Sequence, residues 1–116
     1  IEIRSKTGWY DYQAKYLDDR TEYLFDTIED EAVRARLADA ALACFDALGC
    51  RDFSRVDFIV GDDGTPYALE ANTIPGFTTH SLLPKAAAKV GIPMTELCVR
   101  IVRAAASRST IANRKS

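Results

Sequence analysis

RVDFIVGDDGTPYALEANTIPGF, residues 55–77, is the stretch whose reading decides the fold. Two apolar runs flank Asp63-Gly64, and an Asp-Gly pair between such runs predicts a β-hairpin. With a type I′ turn at Asp63 and Gly64, Asp62 lies opposite Thr65 and the strands pair outward from there. Asp57 then falls opposite Glu70, and Arg55 opposite Asn72. Side chains alternate between the two faces of a strand, so Arg55, Asp57, Glu70 and Asn72 share one face. Val56, Phe58, Val60, Leu69 and Ala71 take the other.

Directly opposed carboxylates repel and weaken a sheet. Arg55 is one compensating charge and a bound cation is another. Asp, Glu and Asn offer oxygen ligands only, a set that suits Mg²⁺ or Mn²⁺. An arginine on the same face is placed to meet a phosphate or a developing anion. The competing reading is a solvated polar face with no ligand. Two features weigh against it. Pro75-Gly76 turns the chain sharply where the strand ends, and TTHS then leads into a helix N-terminus, where free backbone N–H groups favour an anion. A metal face, a cation and an anion-binding turn in one short stretch suggest nucleotide or acyl-phosphate chemistry.

The surrounding chain is one domain's worth of ordinary globular sequence. It has 116 residues, 47% hydrophobic and 28% charged, enough to bury roughly 65% of its unfolded surface. A net charge of −2 gives no electrostatic case for nucleic acid or an anionic membrane. No apolar run approaches the ~20 residues of a membrane span, and nothing resembles a signal peptide. Cys44, Cys50 and Cys98 form no CxxC pair and read as small reduced residues of a cytosolic protein, Cys44 and Cys98 on apolar stripes. A zinc site does not suit a chain with His80 as its one histidine.

Ile1 and Ile3 alternate with polar residues like a strand already in progress. A long polar and aromatic loop follows, with TEYLFD as a possible short strand. Residues 29–49 form the clearest helix, with Val33, Leu37, Ala41, Cys44, Phe45 and Leu48 on one stripe, acidic residues 29–31 in its first turn and Gly49 as its stop. SLLPKAAAKVG predicts a short helix capped by Ser81, with Pro84 in its first turn. Residues 95–107 predict a last amphipathic helix, and RSTIANRKS a polar, frayed tail.

RVDF, the Asp-Gly hairpin, LEANTIPGFTTHSLLPKAA and the earlier GWYDYQAKYLDDRTEYL together resemble the C-terminal part of the D-alanine–D-alanine ligases, of the ATP-grasp superfamily. The resemblance covers all but the polar tail. It implies an α/β (α+β) fold, the C-terminal subdomain of an ATP-grasp domain, with a mostly antiparallel sheet and helices packed on one face. Residues 1–107 would form that part, with a mobile loop at about residues 6–20, and residues 108–116 the tail.

The activity it implies is ATP-dependent. ATP phosphorylates one D-alanine to an acyl phosphate, and the amine of a second D-alanine attacks it to give the dipeptide for peptidoglycan. Asp57, Glu70 and Asn72 then resemble the ligands of two Mg²⁺ (or Mn²⁺) ions, with Glu70 bridging. Arg55 resembles the arginine that stabilises the acyl phosphate and tetrahedral intermediate, and the Gly76 N–H its oxyanion partner. Ser81 and the Leu82 N–H resemble the groups holding the second D-alanine's carboxylate. Lys15 and Tyr16 fall on the loop that closes over the site, the lysine meeting the transferred phosphate and the tyrosine joining a latch. His80 is read as a loop-structuring residue and not as the base.

Family enzymes are much longer, with a first-substrate domain and an adenine-gripping subdomain that nothing here matches. The chain is therefore expected to be a fragment, weakly active or inactive alone, of a cytoplasmic and commonly dimeric enzyme. The resemblance leaves open another ATP-grasp carboxylate–amine ligase, such as a D-alanine–D-lactate ligase. A non-catalytic metal-binding domain is the reading from a different class.

Overall fold

The computed structural model describes residues 1–4 and 22–113, with side chains as far as Arg108. The candidate residues Lys15 and Tyr16, the loop at about 6–20 that carries them, Trp9 and Tyr10 lie outside the described residues. The chain divides into two units, Ile1–Arg34 and Ala35–Ser116, and the division falls within a helix.

In the first unit, β1 (Glu2–Arg4) pairs antiparallel with β2 (Glu22–Leu24), with Ile3 opposite Tyr23. Hydrogen bonds from Thr27 and then Arg4 hold the Glu2 carboxyl below its ordinary pKa. Helix α1 (Glu31–Ala47) starts here. The sequence put Asp30 in its first turn, but Asp30 is the cap. Its Oδ1 accepts the N–H groups of Ala32 at 2.8 Å and Val33 at 3.3 Å, which satisfies donors that have no partner within the helix. Val33 is 8% exposed.

The second unit holds the rest of α1, a β-hairpin and two further helices. Gly49, at φ 62°, ends α1. The Gly49 N–H donates to the Asp46 carbonyl at 3.0 Å and the Cys50 N–H to Phe45 at 2.9 Å, a Schellman stop that the sequence located correctly. Strand β3 (Arg55–Val60) and strand β4 (Pro66–Asn72) form the hairpin. Helix α2 (Leu82–Lys89) ends in a second Schellman stop at Gly91, φ 80°, and packs on helix α3 (Met94–Asn113). Pairing is antiparallel in both ladders of the described residues, so the mixed helix and antiparallel-strand architecture is the one expected.

The hairpin loop differs from expectation. The Gly64 N–H donates to the Gly61 carbonyl at 2.8 Å, and the Gly61 N–H to Thr65 at 2.9 Å. Gly61, not Asp62, therefore pairs with Thr65, across a three-residue loop. Gly64 has φ 76°, and a type I turn followed by a left-handed residue is the commonest way to build such a loop. Asp63 decides it: its carboxylate accepts the Thr65 N–H at 2.9 Å and the Thr65 hydroxyl at 2.8 Å.

Three sequence expectations need correction. Ser81 stands at the N-cap position of α2, but no side chain caps that helix. Cys98 is exposed, while Cys44 and Cys50 are half-buried, and all three are free thiols. The last helix does not stop at Ser107; it continues to Asn113, through residues expected to fray. Arg108, the first residue of that extension, forms an ion pair with Asp52.

Candidate functional site

Strand register brings the polar face together. Arg55 lies opposite Asn72, and Asp57 opposite Glu70. The shift caused by the three-residue loop is undone within the ladder. Phe58 pairs with Ala68, Asp57 with Glu70, and the break between them leaves Leu69 as an extra residue on β4. A bulge of this kind realigns every side chain beyond it. It restores the opposition of the two carboxylates that a two-residue turn would have given.

Arg55 is the counter-charge. Its Nε and Nη2 donate to the two Asp57 oxygens at 2.7 and 2.9 Å, a bidentate fork, and Nη2 reaches Glu70 Oε1 at 3.4 Å. The Arg55 side chain is 16% exposed, Asp57 25% and Glu70 57%. The guanidinium thus sits partly shielded between two carboxylates and offsets the repulsion that their register creates. Asn72 is not drawn into this cluster. Its Oδ1 accepts the Ile74 N–H at 3.0 Å, an Asx-type turn that starts the chain reversal toward Pro75.

Among the described residues no three His, Cys, Asp or Glu side chains converge. A hard divalent ion is nonetheless chemically compatible with the face. Asp57 and Glu70 supply anionic oxygens on adjacent strands, Asn72 supplies a neutral one, and the pair already attracts a cation in the form of Arg55.

The second group forms around the turn that follows β4. A Cβ on Gly76 would lie 2.8 Å from Ser81 Oγ, so only a glycine admits the serine hydroxyl there. That close approach is to Ser81, where the sequence reading had placed an oxyanion. Ser81 Oγ accepts the Thr78 N–H at 3.0 Å and lies 2.9 Å from Thr78 Oγ1. Thr78 Oγ1 accepts the His80 N–H at 3.3 Å. Thr78 and Ser81 therefore form one hydrogen-bonded turn packed against Gly76, and His80 contributes its backbone to it. The sequence reading passed over Thr78. The signal was its spacing, a hydroxyl three residues before the serine at a helix start.

A cavity of about 160 Å³ lies between α1 and the hairpin, lined by residues that include Cys44, Leu48, Val56 and Glu70. Small-molecule sites run from about 300 Å³ upward, so this hollow is too small for a nucleotide.

Antiparallel strands with flanking helices, and a polar strand end running into a tight turn and a helix start, form the architecture of the ATP-grasp D-alanine ligases. The fold superposes on a D-alanine–D-alanine ligase of Bacillus anthracis complexed with ATP. The TM-score is 0.72 and the identity 34%, over 95% of this chain and 34% of that one. Residues 1–103 match the family described as D-ala D-ala ligase C-terminus, and the chain belongs to that family. It is 46% identical over 108 residues to a D-alanine–D-alanine ligase of Bordetella petrii, covering 93% of this chain and 33% of that protein. It is 48% identical over 108 residues to one of Syntrophotalea carbinolica, covering 93% and 35%. The chain thus spans about a third of the length of the curated relatives it matches.

Proposed function

We propose that these residues supply the phosphate-handling and second-substrate half of an ATP-dependent D-alanine–D-alanine ligase, working in peptidoglycan synthesis in the cytoplasm. The observation that carries this reading is the opposition of Asp57 and Glu70 with Arg55 across both, in a chain of this family. The carboxylate of one D-alanine attacks the γ-phosphorus of ATP, giving an acyl phosphate and ADP. The amine of a second D-alanine attacks the acyl carbon, and the tetrahedral intermediate collapses to dipeptide and inorganic phosphate.

Asp57, Glu70 and Asn72 would hold Mg²⁺ (or Mn²⁺), two ions in this reading, which would neutralise the phosphates in such a transfer. Arg55 turns from its carboxylates toward the acyl phosphate and meets the charge that develops on the tetrahedral oxygen, with the Gly76 N–H as its partner. The Ser81 hydroxyl and the Leu82 N–H hold the acceptor's carboxylate at the start of α2, where a helix favours an anion. Lys15 and Tyr16, which lie outside the described residues, would meet the transferred phosphate and help keep out the water that would hydrolyse the acyl phosphate. The first D-alanine and most adenine contacts come from the two thirds of the relatives' length outside this match, and a homodimer would form at that scale.

The test is D-alanine-dependent phosphate release from ATP with Mg²⁺, run on a ligase-length chain carrying these residues and on the 116-residue chain in parallel. Release by the long chain alone supports the reading. ATP binding without D-alanine-dependent release sinks the substrate assignment, and D-lactate is then the next acceptor to try.

A further inference from the structure

We propose that Thr78 is a positioning residue for the second substrate. Its hydroxyl holds the Ser81 side chain away from the helix that Ser81 precedes and aims the serine proton at the substrate carboxylate. This rests on the reading of Ser81 and Leu82 given above.

Ser81 has the backbone of a helix cap, φ −77° and ψ 151°. A serine in that position ordinarily turns its oxygen onto an N–H two or three residues ahead. Here the oxygen turns the other way. It accepts the Thr78 N–H at 3.0 Å and contacts Thr78 Oγ1 at 2.9 Å, and α2 has no side-chain cap. Pro84 has no N–H to offer, so the one N–H such a cap would take is that of Leu83, which is thereby left without a side-chain acceptor next to the N–H of Leu82. That keeps the helix start available to an anion.

Proton direction follows from the acceptors. Each hydroxyl oxygen already accepts a backbone N–H, Ser81 from Thr78 and Thr78 from His80. One hydroxyl proton joins the two oxygens and the other points elsewhere. An ionised carboxylate only accepts, so a bound acceptor requires the Ser81 proton. Thr78 must then donate to Ser81. The resulting chain runs from the His80 N–H through the Thr78 and Ser81 hydroxyls to the carboxylate, each bond polarising the next. Without the Thr78 hydroxyl, Ser81 loses both its proton bias and one of the contacts that keep it off the helix. It can then swing onto the Leu83 N–H, away from the substrate carboxylate.

The experiment compares Ser81→Ala, Thr78→Val and Thr78→Ser in the ligase-length chain. It reads the KM for acceptor D-alanine, the KM for ATP, kcat and Tm. Thr78→Val is expected to raise the acceptor KM roughly fivefold, the size of one hydrogen bond, with the ATP KM and Tm unchanged. Thr78→Ser should restore the acceptor KM. If Ser81→Ala raises the acceptor KM and Thr78→Val does not, the positioning role fails while the Ser81 assignment stands. If Ser81→Ala leaves the acceptor KM unchanged, the site reading itself falls and takes this role with it. A Thr78→Val variant that loses Tm and weakens ATP and D-alanine alike marks a structural residue and overturns the proposal.

Discussion

Arg55 and a divalent ion want the same oxygens. The guanidinium occupies both Asp57 oxygens at 2.7 and 2.9 Å and leans on Glu70 at 3.4 Å, so an entering ion must displace it. Once displaced, it needs an anion, and metal and phosphate binding should therefore reinforce each other. Arg55→Gln is expected to tighten Mn²⁺ binding in the absence of nucleotide by roughly fivefold, about 1 kcal/mol for a pair this accessible, while turnover is lost. Paramagnetic titration with Mn²⁺ reads the first effect, and unchanged or weaker binding would count against the competition. Glu70→Ala leaves the Arg55–Asp57 fork in place, so the fold should survive while Mg²⁺-dependent turnover disappears; retained activity would refute the metal assignment. Gly76→Ala acts through space alone. Its new Cβ, 2.8 Å from Ser81 Oγ, must push that hydroxyl away, and displacement on this scale costs on the order of 10- to 100-fold in kcat/KM for D-alanine. The ATP KM should hold, and a variant with wild-type D-alanine kinetics would show that the turn yields without consequence.

The hairpin loop is held by the Asp63 carboxylate, whose pKa is lowered by the backbone hydrogen bond from Thr65 and then by the Thr65 hydroxyl. A depressed carboxyl contributes stability that is present above its unfolded pKa and is lost as pH falls through the folded value. The loop amides of Gly61 and Thr65 should therefore stay protected from hydrogen exchange through the mildly acidic range and lose protection only below the ordinary carboxylate range. Asp63→Ala should remove that protection at neutral pH, and persistence of protection in the variant would show that the glycines alone set the loop. This element also marks how far the sequence could be read. The Asp57–Glu70 and Arg55–Asn72 oppositions were legible from the hairpin signal, although the loop is one residue longer than assumed. They hold because the Leu69 bulge returns the register, and no local signal in TPYALEAN announces a bulge. The Schellman stop at Gly49 was legible because a glycine at φ 62° is a local, steric event. The direction of the Ser81 hydroxyl was not, since Ser81 has the residue type and backbone of a cap, and the contact that overrides it comes from Thr78, three residues back and outside the capping pattern. The continuation of α3 to Asn113 was not legible either, since the polar residues after Ser107 carry no apolar periodicity, and the ion pair of Arg108 with Asp52 joins residues distant in sequence.

At the scale of the molecule, the second unit leaves apolar surface uncovered on both elements that flank the small cavity. Leu42 and Leu48 on and just beyond α1 are 64% and 66% exposed, and Ile59, Tyr67 and Leu69 on the hairpin are 57%, 57% and 61% exposed. Ile59 and Tyr67 are paired across the hairpin on the side of Asp57, while Leu69 and Val60, predicted for the core face, are also exposed, so neither face of the hairpin is fully shielded. The curated relatives are about three times as long as the match, and under the proposed ligase reading a chain of that length would have surface to cover it. Each large apolar side chain left in water forgoes roughly 1.5–3 kcal/mol of burial, a sum comparable with a whole domain's stability of about 5–15 kcal/mol. The 116-residue chain by itself should therefore bind a hydrophobic dye such as ANS strongly and unfold at a lower urea midpoint than the ligase-length chain. Dye binding at neutral pH, read beside urea unfolding followed by circular dichroism, checks both. Weak dye binding together with an equal midpoint would mean that the second unit stabilises itself and that its apolar face has no intramolecular partner. Strong binding that vanishes in the longer chain would place the partner within it.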